Sequence, residues 1–260
     1  MAAAAAALTE VGEGFAISAS HGSVVTVEEA SSAPEALQIA DQRMYADKAG
    51  RATARAGETR DVLLRVLRER EPELHAHLRH VAELARRDGR RLGLDPEVLD
   101  ELARAAELHD IGKMAIPDAI LNKPGPLDAH EWQFIKRHTL IGEGILSAAP
   151  ALVPVAKIIR SSHECYDGNG YPDRLAGEDI PLAARIVAVC DAYDAMTADR
   201  AYRRAMSPEA ALEELRRGSR TQFDPDVVAA FAEALAERPA APRPPRAGRP
   251  RSVGASASRS

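Results

Sequence analysis

The sequence predicts a mainly all-α protein, a helical bundle with a small α/β piece at its N-terminus. Three observations carry this. Aromatic residues are only 4% of the 260, while Ala, Leu, Glu and Arg are abundant, a composition that favours helix. From Arg60 to about Glu237 apolar residues recur at helical spacing behind proline-led starts. Alternation suited to strands is confined to residues 14–27, GFAISASHGSVVTV.

Taken in order, residues 14–27 predict one or two strands. Pro34 to Gly50 predicts a helix, with Pro at its start, Leu37, Ala40, Met44 and Tyr45 on one side and Gly50 as its stop. Pro72 opens the next helix, with Leu74, Leu78, Val81 and Leu84 on its apolar face. Asp95-Pro96 is an N-cap followed by a first-turn proline, and opens the helix that carries His109 and Asp110. Gly112 frees the backbone after that pair, and Lys113 sets a cation within a turn of both. KPGPL (123–127) must turn. Asp128 with Glu131 forms a capping-box pattern for the helix bearing His138. Pro154 to Ser162 is a short helix ending at His163, and residues 167–179 are loop by composition. Pro181 to Thr197 is again helix, carrying Asp191 and Asp194, and Asp224-Pro225 caps the last one. The Arg/Pro/Ser/Gly tail, residues 238–260, cannot build a core.

Formal charge is −5, but the tail holds six arginines and no acid, leaving residues 1–237 with 28 basic against 39 acidic side chains, net −11. An acidic body argues against DNA or RNA as partner. A phosphate-ester substrate would therefore need positive charge supplied locally, by metals and by Lys or Arg. Cys165 and Cys190 have no metal or redox spacing, no run reaches the roughly 18 apolar residues of a membrane span, and Ala2–Ala7 lacks the features of a signal peptide. A cytoplasmic protein is the expectation.

Residues able to bind metal recur about one per helical hairpin: His77, His109 with Asp110, His138, His163 and Asp191. The spacings are 32, 28 (counted from Asp110), 25 and 28 residues. A bundle can aim such residues at a common centre. Imidazoles with a few carboxylates suit Fe, Mn or Zn-like ions better than Mg or Ca. Individually, His77 could be a surface histidine beside His75 and His80, and His109 could answer the helix dipole. Asp191 within IVAVCDAYDAM is harder to explain so, because a carboxylate in so apolar a helix costs several kcal/mol unless paired or metal-bound.

HDIGK (109–113), IPDAILNKPGPL (116–127), His138, HE-x-x-DGNGYP (163–172), RIVAVCDAYDAMTADRAYR (185–203) and QFDPDVVAAF (222–231) together resemble an HD-GYP domain. That family of HD phosphohydrolases typically hydrolyses cyclic di-GMP. The resemblance implies an HD-type bundle over residues 58–237 and two divalent ions, Fe or Mn, with a third where Glu73 contributes. The implied metal ligands are Glu73, His77, His109, Asp110, His138, His163 and Asp191, with Asp110 bridging two ions. By the same resemblance Asp110, Lys113 and Asp194 would take the catalytic positions beside a bridging hydroxide. The resemblance further implies that Gly168, Gly170, Tyr171 and Pro172 line the substrate cleft and that Arg200 and Arg203 contact phosphates. The implied product is pGpG or GMP. The alternatives are an HD phosphohydrolase for another nucleotide, or a non-catalytic module that senses cyclic di-GMP or docks to another protein. One departure is Ser162 in Ser162-His163-Glu164, where many members read HHE, which puts the number of ions in question. SHG (20–22) and ADQRMYADKAGR (40–51) resemble the last strand and helix of a GGDEF diguanylate cyclase domain. Its catalytic loop is missing, so residues 1–55 read as a truncated fragment without cyclase activity. GGDEF-type or other signalling partners and a homodimer are compatible with this reading.

Overall fold

The computed structural model describes residues 10–12, 15–17, 19–25, 28–70, 74–199 and 204–237. Glu73, Pro72, Arg200, Arg203 and the tail lie outside them. Strands β1 (Glu10–Gly12) and β2 (Phe15–Ile17) pair antiparallel, with Glu10 opposite Ile17 and Gly12 opposite Phe15. The strand signal at 14–27 thus yields β2, with its partner lying N-terminal to that window.

The first helix, α1, runs unbroken over Ala33–Arg70. The expected stop at Gly50 is not there. Glycine at mid-helix costs only about 1 kcal/mol relative to Ala, and a helix this long with a well-seated C-terminal half absorbs it. Ala56, Leu64 and Leu67 of that half are buried in the main core. Leu37 and Tyr45, expected on an apolar side, are instead exposed. The extended residues 19–25 lie along the N-terminal half. A Cβ on Gly22 would fall 1.8 Å from the Ala40 carbonyl oxygen, and Arg51 Nη1 donates to the Ala19 carbonyl at 2.8 Å. The boundary expected at residues 55–58 therefore falls inside one helix.

The bundle follows with α2 (Leu74–Arg91), α3 (Pro96–Leu108), a 3-10 turn at Ile111–Ala115, α4 (Asp118–Leu121), α5 (Ala129–Lys136), α6 (His138–Ser147), a 3-10 turn at Pro150–Leu152, α7 (Val153–Arg160), α8 (Leu182–Thr197), α9 (Pro208–Arg217) and α10 (Pro225–Ala236). Helix α2 packs along α3, α8 and α10, while α7 joins α6 to α3. Leu78, Val81 and Leu84 of α2 meet Leu102 and Leu108 of α3 and Val187 of α8 in one core. Removing such side chains from water contributes about 1.5–3 kcal/mol each.

The helix starts follow local chemistry. Asp128 accepts from the His130 and Glu131 amides and Glu131 answers the Asp128 amide, a complete capping box. The helix it opens ends at Lys136, and His138 begins the next one rather than riding on the same rod. Asp224 caps α10 through the Asp226 and Val227 amides. Asp95 stands at the N-cap of α3, but its side chain makes no capping bond, so Pro96 marks that start. Helix α9, which the spacing did not single out, is capped by Ser207 and buries Ala211 and Leu215.

Candidate metal centre

The expected metal ligands inside the described residues converge where α2, α3, α6, α8 and the turn after α7 meet. They fall into two groups, each with ligand atoms within 4.8 Å of one another: His77, His109 and Asp191, and Asp110, His138 and His163. The groups touch, since His109 Nε2 lies 3.5 Å from Asp110 Oδ2 and 3.7 Å from Asp191 Oδ1. His138 Nε2 is 3.7 Å from Asp110 Oδ1. Adjacent helical positions point about 100° apart. His109 and Asp110 nevertheless share the centre because α3 ends at Leu108 and the chain turns between them.

Backbone contacts fix the imidazoles. His109 Nδ1 donates to the Ala106 carbonyl at 2.8 Å, and His138 Nδ1 to the Ile135 carbonyl at 2.6 Å. Each ring thereby presents Nε2 as a lone pair to the centre. Nε2 of His109, His138 and His163, with Asp110 Oδ1, is buried without a hydrogen-bond partner. Buried polar atoms are ordinarily satisfied, so four unpartnered atoms spread over the two ligand groups fit cations. Donor type agrees: imidazole nitrogen with a few carboxylate oxygens suits transition-metal ions.

Electrostatics divide the two groups. Burial lowers the pKa of His138, and burial together with His138 lowers that of His163 to about 4, so both are neutral, ligand-ready rings at pH 7. Burial also opposes protonation of His77, but hydrogen bonds to Asp191 and Asp194 outweigh it and raise its pKa to about 9. Asp110 is buried, which would raise its pKa, yet Lys113 and His109 hold it well below the carboxylate range. Asp191 is depressed likewise by His109 and His77 against the effect of burial.

Lys113 Nζ sits 2.6 Å from Asp110 Oδ2. Asp194 is bonded to Nδ1 of both His77 and His80, which places it behind His77 as a support. His80 lies outside the expected site residues. The cue that could have found it was its i,i+3 spacing from His77, which puts both on one side of α2. Gly112 has a different role from the expected one. A Cβ there would lie 1.9 Å from the His138 carbonyl oxygen, so glycine permits close approach of two backbones. Ser162 is buried and its Oγ donates to the Ile159 carbonyl at 2.8 Å, so it closes a helix end.

The loop after His163 folds over the centre. Gly168 adopts φ +81°, a left-handed conformation that favours glycine. Gly170 packs on the backbone of Glu164 and Cys165, with no room for a Cβ. The Tyr171 ring stacks on His163 at 5.3 Å and 11°, ahead of a cis bond to Pro172. Glu164, outside the expected site residues, fastens the loop: its Oε1 accepts from the Asp173 and Arg174 amides at 2.7 and 3.0 Å.

A family model described as HD domain matches residues 61–227. The chain belongs to the HD-domain family. This HD domain is 41% identical over 168 residues to a "3'3'-cGAMP-specific phosphodiesterase 2" of Vibrio cholerae, covering 64% of the chain and 32% of the relative. It is 40% identical over 199 residues to the "Cyclic di-GMP phosphodiesterase response regulator RpfG" of Xanthomonas campestris, covering 76% and 52%. The chain spans about a third to a half of the length of these curated relatives. Among solved structures, an HDG"Y"P protein from Bdellovibrio bacteriovorus aligns with TM-score 0.52 at 20% identity, covering 63% of this chain and 52% of that one, a likeness of fold. No helix of the described residues is long and apolar enough to cross a membrane.

Proposed function

We propose that this HD domain is an HD-GYP phosphodiesterase that hydrolyses cyclic di-GMP to pGpG or GMP with two divalent ions, Fe or Mn. The observation that carries the reading is the set of buried, unpartnered Nε2 and Oδ atoms on His109, Asp110, His138 and His163. His77, His109 and Asp191 would hold one ion and Asp110, His138 and His163 the other, with Glu73 available to a third. Ions bound there would lower the pKa of water and polarise a phosphoryl oxygen.

The chain's own residues supply the rest. The Ala106 and Ile135 carbonyls keep His109 and His138 in the tautomer that leaves Nε2 unprotonated. Asp194 accepts the Nδ1 proton of His77 and orients that ring. Lys113, held at Asp110, supplies fixed positive charge beside the centre, where charge builds on phosphorus-bound oxygens during in-line attack. Gly168, Gly170, Tyr171 and Pro172 form a wall that restricts water and positions substrate, and Arg200 and Arg203 complete the phosphate contacts. The catalytic domain is assigned to residues 58–237 and residues 1–55 to a cyclase-like fragment. The support for the fragment is the likeness of SHG and ADQRMYADKAGR.

A second substrate, 3'3'-cGAMP, is favoured by the names of three of the Vibrio cholerae relatives. The test is purified full-length chain loaded with Mn or Fe, given cyclic di-GMP or 3'3'-cGAMP, with products separated by chromatography. Turnover of cyclic di-GMP at the higher kcat/KM is expected. Binding without product would replace the enzyme with a sensor.

A further inference from the structure

Beyond the centre, the surface next to Tyr171 carries groups that the hydrolytic machinery does not use. Trp132 is the chain's single tryptophan and is 47% exposed on α5. Four residues on, and so on the same face of that helix, Lys136 holds its ammonium 5.4 Å from the centroid of the Tyr171 ring. Tyr171 in turn stacks on His163. Tyr171 and Lys136 thus link a candidate metal ligand to the helix face that carries the exposed indole. Between Trp132 and Lys136 lies an open depression of ≈ 560 Å³, lined also by Ala129 and Gln133.

The charges favour an anionic occupant. Among the described residues Lys113 is tied to Asp110 and Lys123 to Glu131, whereas Lys136 has no ion-pair partner. An unpaired ammonium at the mouth of a site, in a body of net charge −11 over residues 1–237, is suited to phosphate. An exposed indole is suited to a base, since every base offers a π-face and stacking is sequence-tolerant. Gln133 adds an amide that can both donate and accept along a base edge.

We propose that the Trp132–Lys136 face of α5 is the subsite for the distal half of a cyclic dinucleotide. Its purine stacks on Trp132, and its non-scissile phosphate meets Lys136 while the scissile phosphate occupies the centre. This rests on the phosphodiesterase reading above and deepens it, by naming residues that set substrate affinity without touching the reacting atoms.

The single tryptophan makes the test direct. The Mn-loaded full chain is titrated with a hydrolysis-resistant phosphorothioate analogue of cyclic di-GMP, following indole fluorescence and, in parallel, calorimetry. Fluorescence should change saturably with the calorimetric midpoint. In steady state with cyclic di-GMP, Trp132→Ala should raise KM about tenfold, equivalent to about 1.4 kcal/mol, with kcat within about twofold. Trp132→Phe should restore most of the affinity, and Lys136→Gln should raise KM and weaken its salt dependence. Calorimetric binding and turnover with silent fluorescence, or a wild-type KM in Trp132→Ala, would overturn the subsite and leave the phosphodiesterase reading standing. Equal loss of kcat in the Ala and Phe variants, with lowered melting temperatures, would mark Trp132 as structural and also overturn it. A wild-type chain that neither binds the analogue nor cleaves cyclic di-GMP would remove both.

Discussion

Asp88 on α2 offers a stability measurement whose size follows from its surroundings. Its side chain is fully buried, and neither carboxylate oxygen has a hydrogen-bond partner. Burial first, and the neighbouring Asp224 second, push its pKa from 3.8 up to about 8. The Arg185 guanidinium, which could have offset this, is bonded to Asp224. Between pH 3.8 and about 8 the folded chain thus holds a proton that the unfolded chain releases. More protons in the folded state means that stability falls as pH rises through that window. Each pH unit costs about 1.4 kcal/mol. Asp88→Asn removes the titration while keeping shape. The difference in unfolding free energy, variant minus wild type, should climb by on the order of 3 kcal/mol from pH 5 to 7.5, and flatten above pH 8. Urea denaturation followed by circular dichroism at fixed metal concentration would measure it, and all other titrations cancel in the difference. A difference that stays flat with pH would refute the reasoning.

Other expectations concern the centre itself. Asp110→Ala should abolish both metal retention and turnover, read by elemental analysis and product chromatography, and wild-type rates in that variant would contradict the proposed centre. Ser162→His should raise the metal content per chain, and an unchanged metal-to-protein ratio would argue against a missing nitrogen ligand at this position. Gly112→Ala should lower stability by about 1–3 kcal/mol through overpacking, because its Cβ would meet the His138 carbonyl oxygen; a melting temperature within a degree of wild type would show that the backbones part freely. Glu164→Ala releases the Asp173 and Arg174 amides, and should quicken hydrogen exchange there while leaving metal content intact.

What could be read from the sequence is what depends on local chemistry. The capping box at Asp128 and the cap at Asp224 need only nearby residues, and both formed as expected. The one-per-hairpin recurrence of His77, His109, His138, His163 and Asp191 was legible because each helical hairpin returns the chain to the same end of the bundle, where these side chains gather. Long-range balances were not legible. Whether Gly50 ends a helix depends on what seats the far half of α1, and the core partners that bury Ala56, Leu64 and Leu67 come from distant parts of the chain. The break at Arg137 carries neither Pro nor Gly. The roles of His80, Glu164 and Asp88 depend on partners 9 to 136 positions away, in the cases of Glu164 and Asp88 a loop amide or a buried acid.

The contact between Gly112 and the first residue of α6 has a consequence for how firmly Asp110 and His138 are held relative to one another. With the main chain beside Asp110 resting on the main chain of His138, the separation of the two backbones that carry these side chains is set by atoms that no rotamer change can move. Any side chain at residue 112 would pry the two backbones apart, so the bare glycine keeps the turn and the helix start locked as one rigid corner.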